Sequence, residues 1–159
     1  MKIIIKKKID SKHSFTYCRE GFPDYWIVAD NFLVLHDLCH FAIETTLGYK
    51  TAFWGLVARG INPNIFEDKV KRDALGLSNE AWYSEHLANL LLIEFRQGLF
   101  DDINEMLKQS LIQHHPYIPF IKISSTELTA IRSLFYKLIV DWKAVEDGNY
   151  FSLDFTISE

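Results

Sequence analysis

Both ends of the chain carry patterns that are typical of β-strands. Segments 2–9, 13–19 and 24–30 are rich in β-branched and aromatic residues and are separated by turn residues. Near the other end, apolar and polar residues alternate over 150–157, which predicts a half-buried strand. The first two segments are close enough in sequence to form a hairpin, and we expect the final strand to pair with it.

The middle of the chain shows the spacing of amphipathic helices, and glycines or capping residues mark their ends. Asp30 or Asn31 is placed to cap the first helix, but the β-prone residues that follow favour a start near Leu35. The predicted helices are 35–47, 50–59, 80–97, one from Asp101 or Asp102 to about Gln113, and 128–145.

Strands at both ends with helices between them predict an α+β fold. In this arrangement a small antiparallel sheet, built from the N-terminal strands and the C-terminal strand, packs against a layer of four to five helices. Residues 62–72, which include Pro63, are assigned to a connector. A chain of 159 residues is long enough for one core and contains no repeat or linker, so we expect residues 1–159 to form a single domain.

Charge and composition narrow the classes of function. The chain has 21 acidic and 17 basic residues, whereas a surface that follows nucleic-acid phosphates is usually basic. No apolar run approaches the roughly 20 residues that a membrane span needs. We therefore expect neither nucleic acid nor a membrane as a partner. A cytoplasmic location, with Cys18 and Cys39 as free thiols, fits this composition.

Four ionisable residues occur in the helix predicted over 35–47, which is otherwise almost entirely apolar. His36, His40 and Glu44 fall on one stripe of this helix. Asp37 lies at the edge of the stripe. Burying such groups is costly unless they meet partners or line a cleft. Glu44 is about 12 Å along the helix from His36, so we expect it to orient His40 as a hydrogen-bond acceptor rather than to share an ion with both histidines.

The pattern His36-Asp37-x-x-His40 is similar to the HExxH motif of zinc metallopeptidases. That resemblance implies that His36 and His40 bind a divalent metal such as zinc. It also implies that Asp37 is the general base acting on the water at the metal. The sequence departs from the motif in one respect, because aspartate is one methylene shorter than glutamate and reaches less far.

A metal centre of this kind needs a third ligand, and Glu94 is our first choice. It lies near the middle of the apolar face of the helix predicted over 80–97, where a lone carboxylate needs a cation or a histidine as a partner. Glu85 and His86 lie more to the side of that face and are weaker candidates. The alternative for Glu94 is a buried pair with an arginine or a histidine.

A second feature of the chain is the segment 53–60, which mixes bulky aromatic residues with glycines. Gly55 inside a predicted helix indicates close approach by another backbone or by a ligand, since glycine there costs about 1 kcal/mol. Phe53 and Trp54 are candidates for the walls of a small-molecule pocket beside the histidines, with His86 as a further lining residue.

The stretch 36–60 also resembles a family of uncharacterised bacterial proteins. In that family an HDLxHFxVE helix is followed by a GLxxGFWGLxAxG segment, and here Ile43 stands for the valine and Ala52 for the glycine before Phe-Trp. A Trp-containing helix, a glycine turn and a closing strand near the C-terminus complete the resemblance. It implies one compact bacterial domain and directs attention to the ionisable stripe, but it implies no particular activity.

Three functions are compatible with these patterns. The first is a metal-dependent enzyme, hydrolytic in type, with the centre described above. The second is a non-catalytic binding or interaction domain in which the histidines and acids form a buried structural network. The third is a pocket for a small-molecule or peptide ligand at the same place, where the histidines serve as hydrogen-bonding groups.

Overall fold

The computed structural model describes residues 1–157, and its sheet contains four antiparallel strands. These are β1 (Lys2–Lys6), β2 (His13–Cys18), β3 (Tyr25–Ala29) and β4 (Tyr150–Asp154). Their order across the sheet is β3-β2-β1-β4, so the final strand pairs with the N-terminal hairpin along the free edge of β1, as expected. Alternate residues of β1 and β2 are fully buried, which shows that one face of the sheet packs on the helices.

Six α-helices and one short 3-10 turn connect the third strand to the fourth. Their bounds are α1 Asn31–Leu47, α2 Phe53–Ala58, the 3-10 turn Pro63–Ile65, α3 Lys69–Ala74, α4 Asn79–Gln97, α5 Ile103–His114 and α6 Ser125–Ala144. The α+β fold predicted from the sequence is confirmed. The helices number one more than expected, because α3 lies across the end of the predicted connector.

Helix α1 begins earlier than its β-prone first turn suggested. The side chain of Asp30 accepts a hydrogen bond from the backbone nitrogen of Leu33, and this cap starts the helix at Asn31 rather than near Leu35. The helix ends where Gly48 adopts a left-handed conformation with φ of 66°. The four ionisable side chains therefore lie in the regular interior of a 17-residue helix.

The position of α1 explains why nearly all its sides are apolar. It packs against both α4 and α6 and contributes to the same hydrophobic core as the inner face of the sheet. Leu38 and Ile43 are buried in that core together with Phe15 of the sheet and Leu91 of α4. The ionisable stripe of α1 therefore faces α4 and the segments before it.

Helix α3 escaped the sequence pattern because it has no apolar stripe to detect. None of its six residues is buried, and its start depends on the Asp68 side chain, which accepts from two backbone nitrogens of the first turn. In the part of the chain that the structure describes, no helix is both long and apolar enough to cross a membrane.

Candidate metal centre

Two helices bring three potential metal ligands together at one point. His36 and His40 project from α1, and Glu85 projects from α4. Glu85 Oε2 lies 3.2 Å from His40 Nε2 and 3.8 Å from His36 Nε2. Ligand atoms held tetrahedrally at about 2.0–2.1 Å from a zinc ion are about 3.3 Å apart. The three ligand atoms all lie within 4.8 Å of one another, so the group has the residue types of a zinc centre and would tighten around an ion.

A chain of hydrogen bonds behind His40 fixes the orientation of its ring. His40 Nδ1 lies 2.8 Å from Ser84 Oγ and 3.3 Å from Glu44 Oε1. The Ser84 hydroxyl donates to Glu44 Oε1 at 3.1 Å. Because that hydroxyl donates its hydrogen to Glu44, its oxygen accepts a hydrogen bond from the Nδ1–H of His40. This arrangement leaves Nε2 as the nitrogen that faces Glu85.

The carboxylate of Glu44 is only 1% exposed and is held from a second side. Its Oε2 accepts a hydrogen bond of 2.8 Å from the backbone nitrogen of Trp54 at the start of α2. The contact that we expected between Glu44 and His40 is therefore present, and the buried carboxyl group has three hydrogen-bonding partners. Whether Glu44 tunes a metal ligand stays a prediction.

The segment between α1 and α2 is held in place by unusually close backbone packing. A Cβ added to Gly55 would lie 2.1 Å from the carbonyl oxygen of Lys50, so only glycine fits. The Glu80 carboxylate accepts from the backbone nitrogens of Lys50 and Thr51 at 2.9 Å and 2.7 Å. The close backbone approach expected at Gly55 is confirmed. This close packing holds the backbone nitrogen of Trp54 within hydrogen-bond distance of Glu44.

The pKa values of His40 and Glu85 depend on each other. Burial opposes a charge on His40, but hydrogen bonds to Glu44 and Glu85 outweigh it and raise the pKa of His40 to about 10. Burial alone would raise the pKa of Glu85, but the hydrogen bond and charge of His40 lower it to about 2. The site thus favours a positive charge between the carboxylates of Glu44 and Glu85. A divalent ion bound there would displace the proton from His40.

A cavity of about 300 Å³ opens directly over these ligands. Its walls are mostly apolar and include Phe53, Phe66 and Trp82. Its polar lining comes from the three ligand candidates and from Asp37, Glu67 and Arg72. Ligand sites in proteins commonly combine an apolar wall with a few convergent polar groups. The metal-ligand group and the cavity therefore form one site.

Asp37 lies in this site with its side chain turned to the cavity lining. The side chain is 10% exposed, and its Oδ1 is 3.7 Å from His36 Nδ1, which is too far for a hydrogen bond. Over residues 1–157 no group donates a hydrogen bond to its carboxylate. A carboxylate with unused acceptor capacity is placed to receive a proton from a molecule in the cavity.

Glu94 does not lie with the two histidines, and this corrects our choice of third ligand. Its oxygens accept two hydrogen bonds from Arg132 of α6, at 3.0 Å and 2.7 Å, and one from the Phe100 backbone nitrogen at 3.1 Å. Glu94 is also nine residues from Glu85, about 13.5 Å along the helix. The buried arginine pair that we had kept as the alternative is the arrangement found.

Two of the three residues predicted to line a pocket have other roles. Phe53 lines the cavity as expected. Trp54 is fully buried behind it, and its indole nitrogen donates to the backbone oxygen of Asp37 at 3.2 Å. His86 faces α5 instead, where its Nδ1 lies 2.7 Å from Ser110 Oγ. Trp54 therefore packs behind Phe53 without lining the cavity, and His86 lies outside the site.

Several residues of the site were not singled out from the sequence. Ser84 carries no signal of its own, because a serine inside an amphipathic helix is common. Phe66, Glu67 and Arg72 come from the segment that we assigned to a connector. Positions 66–72 hold one phenylalanine and five charged residues, and this density of charge beside an aromatic residue is the signal that the connector carries.

A scan against protein-family models, a search of curated proteins and a search of solved structures each return no match. The family resemblance of the stretch 36–60 therefore stays a prediction. Function has to be inferred from the site itself.

Proposed function

We propose that the protein binds a divalent transition metal such as zinc through His36, His40 and Glu85, and that this centre hydrolyses a small molecule held in the cavity. The observation that carries the proposal is the convergence of Glu85 Oε2 on both Nε2 atoms, at 3.8 Å and 3.2 Å. Two imidazoles and one carboxylate are a ligand set of catalytic zinc sites, which keep a fourth position open for water or substrate.

The surrounding residues match the needs of such a centre. The Ser84 and Glu44 chain orients His40 with a proton on Nδ1, so that Nε2 would bind the ion once its own proton is displaced. An ion at this point would supply Lewis acidity and lower the pKa of a water molecule. Asp37 is then the group in the cavity that takes a proton from the attacking water. The apolar walls exclude bulk solvent around it.

One observation favours a second function, which is ligand binding without a metal. His40 is already hydrogen bonded at both ring nitrogens by Glu85 and Ser84, so the network is complete by itself. In that case the cavity would hold a small-molecule or peptide ligand, with Glu85 and His36 as hydrogen-bonding groups at its floor. The two functions differ in whether the histidines bind zinc, which can be measured directly.

The first experiment is elemental analysis combined with zinc titration of protein purified without a histidine tag. We expect one zinc ion per chain, lost in Glu85→Gln and in the double variant His36→Ala/His40→Ala. His114→Ala is the matched control, since it removes an exposed histidine far along α5 and should leave the stoichiometry unchanged. Absence of zinc in the wild type, or its retention in Glu85→Gln, would contradict the proposal and favour ligand binding without a metal.

The second experiment measures hydrolysis with a panel of chromogenic esters and amides. Removal of a general base typically lowers the rate about 10²–10⁴-fold. We therefore expect Asp37→Asn to retain zinc and fold but to lose turnover by that factor. Equal turnover in Asp37→Asn and the wild type would exclude Asp37 as the base.

A further inference from the structure

We propose that the substrate is a small apolar compound with a single carboxylate, and that Arg72 is the residue that binds that carboxylate. This inference rests on the proposed function, because it names the substrate class of the same site. It begins from Arg72 itself, which lies on α3 at the edge of the cavity and lines it.

The guanidinium group of Arg72 has donors that the folded chain leaves free. Its Nε is buried and has no hydrogen-bond partner over residues 1–157. Nη1 makes one long hydrogen bond of 3.4 Å to the Phe66 backbone oxygen. The Asp73 carboxylate is 3.9 Å from Nε, beyond hydrogen-bond distance, and is about half exposed. A buried donor is costly to leave unpaired, so a ligand acceptor fits this position.

The charges around the cavity select the kind of anion. Arg72 is the one Lys or Arg side chain that lines it among the described residues, whereas Asp37, Glu67 and Glu85 contribute carboxylates. A zinc ion and Arg72 together only balance these three carboxylates, so a dianionic phosphate would leave more uncompensated negative charge in the cavity than a monoanion. A monoanionic carboxylate matches the planar fork of a guanidinium, which binds it through two parallel hydrogen bonds.

The walls and the size of the cavity describe the rest of the molecule. Phe53, Phe66 and Trp82 form an aromatic surface next to the histidines. A volume of about 300 Å³ is at the small end of ligand pockets, so the molecule has the size of one or two amino-acid residues. With a carboxylate at one end and the reacting bond near the histidines, the class that fits is an N-acyl amino acid with an apolar side chain.

The reaction for such a substrate balances with water as the sole co-reactant. The water oxygen forms a bond to the acyl carbon, and the carbon–nitrogen bond breaks. One proton of the water passes to the Asp37 carboxylate and from there to the leaving nitrogen. The products are a carboxylic acid and the free amino acid, whose carboxylate stays on Arg72 until it is released.

The test compares N-acetyl-L-phenylalanine with its neutral amide, N-acetyl-L-phenylalaninamide, as calorimetric ligands for the metal-free protein and for the zinc-loaded Asp37→Asn variant, neither of which should turn the probes over. The two probes differ only in the carboxylate. A charge-assisted hydrogen-bond pair corresponds to about 10–100-fold in affinity. We expect the wild type to prefer the acid by that factor, and Arg72→Gln to bind both probes equally.

Lys71→Gln is the matched control, because Lys71 is the neighbouring residue of α3 and its ammonium pairs with Asp68 at the surface. It should keep the preference for the acid. Circular dichroism and zinc titration of Arg72→Gln check that its fold and metal site are intact.

The inference is overturned if the wild type binds neither probe, if it shows no preference, or if Arg72→Gln keeps the preference. Tighter binding of phenyl phosphate than of the acid to metal-free protein would also overturn it. Failure of the proposed function gives a different result. In that case no zinc binds, yet metal-free protein still shows an Arg72-dependent preference for the acid, which supports Arg72 as the carboxylate-binding residue and excludes zinc-dependent hydrolysis.

Discussion

Replacing Glu44 by glutamine tests whether the buried network sets the chemistry of His40. Glutamine has the same shape, but it presents one acceptor oxygen and one donor amide. The glutamine oxygen must accept the hydrogen bond from the Trp54 backbone nitrogen, which donates to Glu44 at 2.8 Å in the wild type. The amide then faces Ser84 and donates to it. The Ser84 hydroxyl in turn donates to His40 Nδ1, which reverses the chain of hydrogen bonds.

This reversal moves the ring proton of His40 to Nε2, the nitrogen that we assign to the metal. Loss of an outer partner of a metal ligand typically lowers affinity 10–100-fold, which is about 1.4–2.8 kcal/mol. The cost in folding free energy should be smaller, about 1–2 kcal/mol, because the hydrogen-bond count is kept and only the charge is lost. Glu44→Gln is therefore expected to weaken zinc binding more than folding.

The assay is competition for zinc with a chromophoric chelator, together with urea unfolding of the metal-free protein. Glu94→Gln is the matched control, because Glu94 is an equally buried carboxylate whose partner is Arg132 on α6. It should lose about 1.5–3 kcal/mol of stability by removing the charge from a largely buried ion pair and leave zinc affinity unchanged. Equal zinc affinity in Glu44→Gln and the wild type would refute the tautomer argument. So would an equal loss of affinity in both variants.

Three further predictions concern the rest of the fold. Gly55→Ala should lower the melting temperature strongly, since its Cβ would lie 2.1 Å from the Lys50 carbonyl oxygen; an unchanged melting temperature would contradict that contact. Burial and the charge of His114 lower the pKa of His115 in the folded protein. As the pH falls, His115 is therefore protonated in the unfolded chain at a higher pH than in the folded chain. Stability should therefore drop as the pH falls below about 6.5, and melting curves of His115→Gln should show a smaller drop. Burial raises the pKa of the Cys39 thiol. A thiol-reactive dye should label one of the two cysteines in folded protein and both in urea.

Patterns of short range in the sequence were enough to predict the architecture. The apolar and polar alternation near the C-terminus and the β-rich opening predicted the strands, and glycines and capping residues located most helices. The start of α1 was placed too late, because the propensity of its first turn was weighted above the single side-chain cap from Asp30. Helix α3 was absent from the prediction because a six-residue helix with no buried side chain has no apolar period.

The site could be predicted only in part, for a geometric reason. The histidines of α1 share a face through the helical repeat, which is a property of one helix. The third ligand depends on how α1 and α4 pack. Glu94 lies in the middle of the apolar face and was therefore the stronger choice, but its carboxylate pairs with Arg132 of α6. Glu85, at the margin of the face, is the acid that reaches the cavity.

The most direct test of the central claim is anomalous diffraction at the zinc absorption edge from crystals of the tag-free protein grown with zinc. The account predicts a peak within about 2.0–2.2 Å of the Nε2 atoms of His36 and His40 and of a Glu85 carboxylate oxygen. It also predicts that crystals of Glu85→Gln lose this peak. Crystals that show no peak there, or a peak only at exposed histidines such as His114, would contradict the account.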